Sequence, residues 1–430
     1  MLKDELIKSI SKQKGEPNWM LEFRLKAFRK FLELDDPNFG PKLDINYKNF
    51  NYYKKVDEVK DDWKDVNCSI RDRFQDLGVI DAEQKYLGGV NNQFESETIY
   101  HNINKDIKDD GIIFLSTDDA LKTHPELFKK YFNNLVKYDE NKFTALNSAL
   151  WSGGSFIYIP KGVHLDRPLQ SYFRIDTNGL GQFERTIIIV DDDASLSYIE
   201  GCTAAAGAKN SLHAGVVEIY VGKNAKMKYS TIQNWSKEVY NLVTKRSIVD
   251  EGGYMQWLDG NVGSYITMKY PSSILKGDNS SSQSISVAYA KKNQVLDAGA
   301  KMIHLGKNTR SSIISKSISE EGGISNYRGK VKITKDAKNS KATVRCDTIL
   351  MDEKSKSDTF PTNIVENSSS YLEHEATISK INDDELFYLN SKGLSEKQAK
   401  ELIILGFIDE FKKELPMEYA IEVNRLLKEI

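Results

Sequence analysis

A short turn pattern repeats at nearly constant spacing between residues 159 and 369. Each copy has an apolar residue, three turn residues, a residue that is usually small and then a run of strand composition, with the weakest match at Gly277. The last residues of successive copies lie 31, 31, 28, 28, 28, 28 and 32 positions apart. The copies are Ile159–Val163, Val190–Ala194, Val221–Ala225, Val249–Gly253, Gly277–Ser281, Leu305–Thr309, Ile333–Ala337 and Val365–Ser369.

A strand-and-turn repeat of this length, without helices, predicts a β-solenoid in which each coil stacks on the one before. An antiparallel sandwich is the alternative, but it has no reason to repeat one turn across more than 200 residues. We therefore predict a mainly β protein with a parallel β-helix core over residues 131–380. A mainly helical region, residues 1–130, precedes it, and a helical region, residues 381–430, follows it.

Helical periodicity marks both flanking regions. Met20, Phe23, Ala27 and Phe31 recur at helical spacing in the segment GEPNWMLEFRLKAFRKFLEL. Near the C-terminus, the sequence SEKQ from residue 395 is a capping-box pattern that opens a helix. The apolar residues that follow, between 402 and 408, cover more than one helix face. They either cap the end of the solenoid or form a docking surface for another protein.

Charge and hydropathy exclude several classes of protein. Sixty Lys and Arg residues nearly balance 62 Asp and Glu residues, which argues against nucleic acid as the main partner. No run of about 18 apolar residues predicts a membrane span, and the N-terminal segment lacks the apolar stretch of a secretory signal. We expect a cytoplasmic protein, or a stromal one if it belongs to a plastid-type organelle.

The repeat relates the three cysteines to one another. Cys202 and Gln233 each lie eight positions after the last residue of their copies, so they should be neighbours about 5 Å apart in adjacent coils. Trp235 should lie on the same face as Gln233. Cys346 lies five coils further along, roughly 24 Å away at about 4.8 Å per coil. This separation is too long for a disulfide or for one small cluster. We interpret Cys68, in a polar helical setting, as incidental.

The coil after Cys346 contains three adjacent polar residues. Alternation along a strand predicts that Glu373 and Glu375 share one face and that His374 takes the other. Cys346 alternates with apolar residues and should point into the solenoid. A thiolate, an imidazole and a carboxylate together suit iron or zinc, or an activated sulfur nucleophile. The alternatives are a small buried thiol with a structural histidine, or a glycan-cleaving pair formed by Glu373 and Glu375.

Several segments, in order along nearly the whole chain, resemble the SufB/SufD family of iron–sulfur cluster assembly proteins. They are EPNWMLEFRLKAF, NNQFESETIYHNI, HPELFKKYF, FIYIPKGVHLDRPLQSYFRI, GQFERTIIIVDDDASLSYIEGCTA, RCDTIL and YLEHEATISKINDDELFY. The segment WMLEFR favours the SufB branch, the scaffold subunit. The resemblance implies a right-handed parallel β-helix between helical regions. It also implies a scaffold rather than an enzyme, with ATP hydrolysis supplied by a partner, since the chain has no Walker motif.

The resemblance further implies partners and site residues. The partners are a SufC-type ABC ATPase docking on the C-terminal region, SufD or a second SufB, a SufE/SufU-type sulfur donor with its cysteine desulfurase, and downstream cluster carriers. Cys202 would accept sulfur as a persulfide. The cluster, transient and of unspecified type, would form at Cys346 with Glu375 and His374, and reduced flavin is a further expectation for the complex. The residues implied for the sulfur path are Arg174, Gln233, Trp235 and Lys245.

Two departures from the family pattern bear on this interpretation. Asp176 stands where an asparagine is common, and a carboxylate there would repel a persulfide anion unless it is protonated or paired. The N-terminal cysteine cluster of many members is missing. A SufD-like structural subunit is the first alternative, and a glycan-binding or glycan-cleaving β-helix is the second.

Overall fold

The computed structural model describes residues 2–56, 58–205 and 208–415, and these are mainly β. The first strands are β1 (Gly89–Phe94), β2 (Glu97–Ile103), β3 (Ile113–Ser116), β4 (Ser155–Ile159), β5 (Leu169–Ile175), β6 (Gly181–Gln182), β7 (Arg185–Val190), β8 (Ser195–Ala204), β9 (Ser211–His213), β10 (Val216–Val221), β11 (Lys226–Trp235) and β12 (Val239–Val249). The later strands are β13 (Tyr254–Gly263), β14 (Ile266–Lys269), β15 (Ser272–Leu275), β16 (Ser281–Ala290), β17 (Val295–Ala298), β18 (Lys301–His304), β19 (Arg310–Ser319), β20 (Ile324–Ile333), β21 (Lys341–Leu350), β22 (Thr359–Val365) and β23 (Tyr371–Lys380).

The described helices lie mostly at the two ends of the chain. They are α1 (Asp4–Lys14), α2 (Asn18–Glu33), α3 (Cys68–Asp76), α4 (Val79–Lys85), α5 (Lys105–Asp109), α6 (Thr117–Thr123), α7 (Pro125–Tyr131), α8 (Lys142–Leu150), α9 (Asp383–Ser391), α10 (Glu396–Phe407) and α11 (Asp409–Glu414). The predicted capping box is present at α10, where Ser395 accepts from the backbone N–H of Gln398.

Two long sheets face each other and form the predicted β-solenoid. One contains the strands β5, β8, β11, β13, β16, β19, β21 and β23, which follow one another as parallel neighbours. The other contains the return strands, including β7, β10, β12, β15, β18 and β20. The structure therefore confirms a mainly β solenoid flanked by helices. The inward side chains of the two sheets meet in the space between them.

The repeated turn has a clear backbone cause. From β8 to β21, the residue before each strand of the first sheet is small and buried, and the residue before that one is in the left-handed region, as at Asp193 (φ 58°), Asn224 (φ 54°) and Asn308 (φ 57°). Asp, Asn and Gly tolerate this region best. The recurring sequence pattern therefore reflects the left-handed residue at this turn, which the coils that lead into β8 to β21 share.

The structure corrects three of the assigned turn positions. The register places the small residues at Ser280, Ser340 and Ser370, where Ser281, Ala337 and Ser369 were predicted. The reason at the second position is an additional turn. The Ala337 N–H closes one turn on Thr334, and a further left-handed residue, Asn339 (φ 57°), follows before β21 begins.

The N-terminal region contributes strands as well as the predicted helices. The hairpin of β1 and β2 joins the first sheet, because β1 pairs in parallel with β5. At the end of the second sheet, β3 pairs with β4 in the antiparallel direction. The chain before residue 130 thus closes one end of the solenoid by extending both of its sheets.

The C-terminal helices pack along the outer face of the first sheet, whereas a cap on the end of the solenoid was one of the two predictions. The other, a docking surface, stays a prediction. Ile404, Ile408 and Phe411 are buried in the same apolar cluster as outward-facing residues of the first sheet. Leu402 and Phe387 are exposed, with 51% and 76% of their surface accessible. One face of these helices therefore covers the outside of the first sheet, and another carries apolar side chains that are exposed among the described residues. The predicted second C-terminal helix, from Pro416, lies outside the described residues.

Within the described part of the chain, no helix is both long and apolar enough to cross a membrane.

Candidate functional site

The predicted contact between Cys202 and Gln233 is present. The two residues are register partners on β8 and β11, and Gln233 Nε2 lies 4.0 Å from Cys202 Sγ. Both side chains point into the solenoid and are almost completely buried. An amide N–H facing sulfur is a donor to a thiolate or to a persulfide anion. This neighbourhood, comprising Glu200, Cys202, Gln233, Lys245 and Lys269, is called the Cys202 cluster below.

Lys245 reaches the Cys202 cluster from the opposite sheet. Its Nζ lies 3.1 Å from Glu200 Oε1 and 2.9 Å from Thr231 Oγ1. Burial by itself would lower the pKa of Lys245, but the carboxylates of Glu200 and Asp259 outweigh burial and raise it. A buried ammonium therefore faces the sulfur site. Such a charge persists in a protein interior only when it is paired and hydrogen-bonded.

Cys202 is a thiol in these surroundings. Burial raises the pKa of the thiol well above its ordinary value, the Glu200 carboxylate raises it further, and Lys245 opposes both effects. Glu200 Oε1 is 3.8 Å from Cys202 Sγ and is the acceptor of its S–H. Glu200 is held in turn by the hydroxyl of Tyr229. The cluster therefore contains a proton acceptor beside the sulfur atom.

The other two residues of the predicted sulfur path lie beside a cleft of about 550 Å³. Trp235 follows Gln233 on the inner face of β11, and Arg174 belongs to the outer row that contains Thr203. Both residues line the cleft. The cleft therefore lies one row beyond Cys202, at the ends of these strands.

The structure also shows what surrounds Asp176. Arg174 Nε donates to Asp176 Oδ1 at 2.8 Å, and Arg73 forms a second ion pair with the same carboxylate. This carboxylate is therefore paired, which is one of the two conditions under which it would not repel a persulfide anion.

Cys346 and His374 form a second pair of polar groups, near the far end of the solenoid. Cys346 Sγ lies 3.8 Å from His374 Nε2, and Asn363 Nδ2 lies 3.2 Å from His374 Nδ1. Burial raises the pKa of the Cys346 thiol to about 12, with a smaller opposing effect of Tyr327. Burial also lowers the pKa of His374. A neutral imidazole beside a thiol is a pair of ligands that can bind a soft or borderline metal ion.

Glu375 is not brought to this pair. It is the register partner of Arg345, whereas Cys346 pairs with Ala376 and His374 with Val344. Successive strand residues point to opposite faces, so Glu375 lies with Glu373 on the exposed face. The part of the chain that the structure describes contains no group of three or more His, Cys, Asp or Glu residues arranged to hold a metal ion. The assignment of Glu375 as a ligand stays a prediction.

One inward row of side chains leads from the Cys202 cluster to Cys346. Six successive register partners on β8, β11, β13, β16, β19 and β21 form it, and all of them are buried. The predicted separation of five coils between the two cysteines is therefore confirmed. In order, the row contains Glu200, Thr231, Asp259, Ser286, Ser315 and Cys346.

Sequence reasoning missed most of this row. Each member lies six positions after the small turn residue of its coil, so the shared offset is a signal present in the sequence. The shared offset is not visible when the turn residues of two coils are placed at Ser281 and Ala337 instead of at Ser280 and Ser340. Lys269, which pairs with Asp259 at 2.8 Å, has no offset signal because it comes from the second sheet.

Comparison with known proteins gives full-length matches. The family model described as "SufBD protein N-terminal region" matches residues 8–171, and "SUF system FeS cluster assembly, SufBD core domain" matches residues 173–407. Three relatives called "Iron-sulfur cluster assembly SufBD family protein" come from Staphylococcus haemolyticus, Staphylococcus saprophyticus and Staphylococcus aureus. Each is 52% identical over 429 residues, which cover 99% of this chain and 92% of the relative.

Proposed function

Since the chain belongs to the SufBD family of iron–sulfur cluster assembly proteins, we propose that it is the SufB-type scaffold, with sulfur accepted at Cys202 and the cluster built at Cys346. The observation that carries this proposal is the pair of buried thiols on one inner face of the solenoid. A continuous row of mostly polar side chains connects their surroundings. A purely structural subunit would have no need for such a row, because buried polar groups cost free energy unless they are satisfied.

The first step is a thiol–persulfide exchange. The Cys202 thiol gives its proton to Glu200, and the thiolate attacks the terminal sulfur of the donor persulfide. The donor's S–S bond breaks, and the donor leaves as a thiolate that takes up a proton. Cys202 then carries a persulfide anion, and no oxidant or reductant is consumed. The Gln233 amide and the Lys245 ammonium stabilise that anion by hydrogen bonding and by charge.

The second step moves sulfur along the inner row. Exchange between sulfurs requires contact, and five coil spacings separate the two cysteines by roughly 24 Å. Hydroxyl groups of Thr231, Ser286 and Ser315 lie along this distance, and Ser286 donates to Ser315 at 3.2 Å. In the proposal a two-electron reductant, the role of the reduced flavin expected for the complex, releases the outer sulfur as hydrosulfide and restores the Cys202 thiol. The hydroxyl groups then solvate the hydrosulfide anion within a space that excludes water.

The third step joins sulfur to iron, which is a substrate here. Cys346 and His374 supply two adjacent ligands, and binding of a metal releases the thiol proton. Further ligands come from Glu375, if the terminal strand changes its pairing, or from a partner. β23 ends the first sheet, and its outer edge is unpaired within the described chain. This open edge is where SufD or a second copy would dock, while a SufC-type ATPase would use the uncovered face of the C-terminal helices.

The test is the iron and acid-labile sulfide content after anaerobic purification from cells that also express the sulfur donors and the ATPase. The wild-type chain should carry both elements and Cys346→Ala neither, while Cys68→Ala, which alters an exposed cysteine, should match wild type. Loading of Cys346→Ala at the wild-type level would contradict the proposed cluster site. An empty wild-type chain in a folded complex would favour the SufD-like structural role.

A further inference from the structure

The side-chain amide of Gln233 has a fixed orientation, and Lys269 is the residue that fixes it. Lys269 Nζ lies 3.2 Å from Gln233 Oε1. An ammonium group has three donors and no acceptor, so it selects the oxygen of the amide and not the nitrogen. The opposite end of the amide, Nε2, is thereby directed to Cys202 Sγ.

A second donor supports the same orientation. Asn241 Nδ2 lies 2.9 Å from Gln233 Oε1. Asn241 is itself oriented, because its Oδ1 faces His213 Nδ1 at 2.8 Å and its Nδ2 also reaches Thr267. Lys269 Nζ, which cannot accept a hydrogen bond, and Asn241 Nδ2 therefore both donate to Gln233 Oε1.

Lys269 keeps its position through Asp259. The two form an ion pair at 2.8 Å, and the side chains are 1% and 2% exposed. Burial would raise the pKa of Asp259, but Lys269 and Lys245 together outweigh burial and lower it. The carboxylate is therefore ionised and holds Lys269 beside Gln233.

We propose that Lys269 is a positioning residue for the sulfur acceptor: it holds the Gln233 amide so that its N–H group donates to the thiolate or persulfide of Cys202. A free amide could rotate and present its oxygen to sulfur, which would repel an anion. The charged or titratable groups that face Cys202 are Glu200 on its own strand, and Glu184, Tyr198, Tyr229, Lys245 and Lys269 from neighbouring strands. The inference rests on the proposed function only where it concerns the persulfide.

The experiment measures the alkylation rate of Cys202 by iodoacetamide against pH, in the full chain, with peptide mass spectrometry to identify the cysteine. Gln233→Leu should slow alkylation at neutral pH about tenfold, as expected for one lost hydrogen bond to a charged group. The charge-neutral pair variant Lys269→Met/Asp259→Leu should slow it to a similar extent. The triple variant Gln233→Leu/Lys269→Met/Asp259→Leu should be alkylated no more slowly than Gln233→Leu, because Lys269 acts through Gln233.

A matched control replaces a Lys–acid pair outside the interior. Lys332 and Glu366 form a half-exposed ion pair at 3.0 Å, and Lys332→Met/Glu366→Leu should leave the Cys202 profile unchanged. A pair variant at Lys269 and Asp259 with the wild-type profile would overturn the inference. A triple variant slower than Gln233→Leu would also overturn it, because Lys269 would then act by its charge alone.

Folding is followed by thermal melting, and Lys269→Arg is the second variant because it keeps both the charge and a donor. It should alkylate at nearly the wild-type rate, and a loss as large as that of Gln233→Leu counts against the inference. A parallel reaction with glutathione persulfide tests the proposed function separately. If wild-type Cys202 gains no sulfur there, sulfur acceptance is wrong, while the alkylation profiles still decide the role of Lys269.

Discussion

At the scale of single residues, the two buried cysteines differ in the charges around them. Cys202 faces two carboxylates and two ammonium groups, whereas Cys346 faces a neutral imidazole and a tyrosine. A persulfide anion gains from nearby cations and N–H donors, whereas a metal ion needs neutral imidazole and deprotonated sulfur. The two surroundings therefore suit acceptance of sulfur at one site and binding of iron at the other.

The raised pKa of Cys346 gives a prediction about its reactivity. The thiolate is the nucleophile, and the folded-state pKa of about 12 lies above the ordinary value of 9.0. Alkylation of Cys346 should therefore rise about tenfold per pH unit through neutral and mildly alkaline pH, without a plateau below about pH 9. Peptide mass spectrometry would measure it, with exposed Cys68 as the internal reference. A plateau near pH 7 would contradict this prediction.

At the scale of elements, the coils that lead into β8 to β21 each have a left-handed residue at the repeated turn. Asn308 has φ 57°, and its backbone N–H donates to Lys338 in the next coil at 2.8 Å. The left-handed region disfavours β-branched side chains most strongly. The turn is therefore a local requirement on which the stacking of neighbouring coils depends.

We predict that Asn308→Val lowers the free energy of unfolding by about 1–2 kcal/mol, because a β-branched residue pays the full cost of the left-handed conformation, which asparagine tolerates. Asn308→Gly should change it by only a few tenths of a kcal/mol, because glycine adopts this conformation freely. Urea denaturation would measure both, and Lys307→Val, at the preceding exposed turn position, is the control. Equal effects of Val and Gly would show that the backbone conformation is not the cause.

At the scale of the whole molecule, the two ends of the solenoid differ in whether further strands extend the sheets. The N-terminal end is extended by the hairpin of β1 and β2 and by β3. At the other end, no strand of the described residues pairs with the outer edge of β23, and Ile378 and Phe387 are exposed over 48% and 76% of their surface. An open sheet edge with exposed apolar residues favours pairing with another chain.

We predict that Ile378→Lys/Phe387→Lys abolishes association with the SufD subunit or second copy that we propose as its partner, and leaves the melting temperature unchanged. Both side chains are exposed, so their replacement removes little buried apolar surface from the isolated chain. Light scattering after co-expression would measure the association. Leu32→Lys, which alters an exposed apolar residue of α2, is the control. Association that survives the double substitution would place the interface elsewhere.

The sequence by itself determined the solenoid, the contact of Cys202 with Gln233 and the five coils between the cysteines. It could do so because most coils share the same left-handed turn, which leaves Asp, Asn or Gly at nearly regular spacing. Alternation within β21 likewise predicted that Cys346 points inward, and the structure shows it buried.

Only the tertiary structure decided which side chains meet. The additional turn before β21 shifts the register by three residues from the assigned position, and so places Cys346 in the row of Glu200 and Asp259. Pairing of Lys269 with Asp259 joins two different sheets, and no spacing within one strand encodes such a contact. Glu375 is turned away from Cys346 because register and alternation act together. Backbone hydrogen bonds between coils fix the register. The spacing of residues within one coil does not predict which residues these bonds pair.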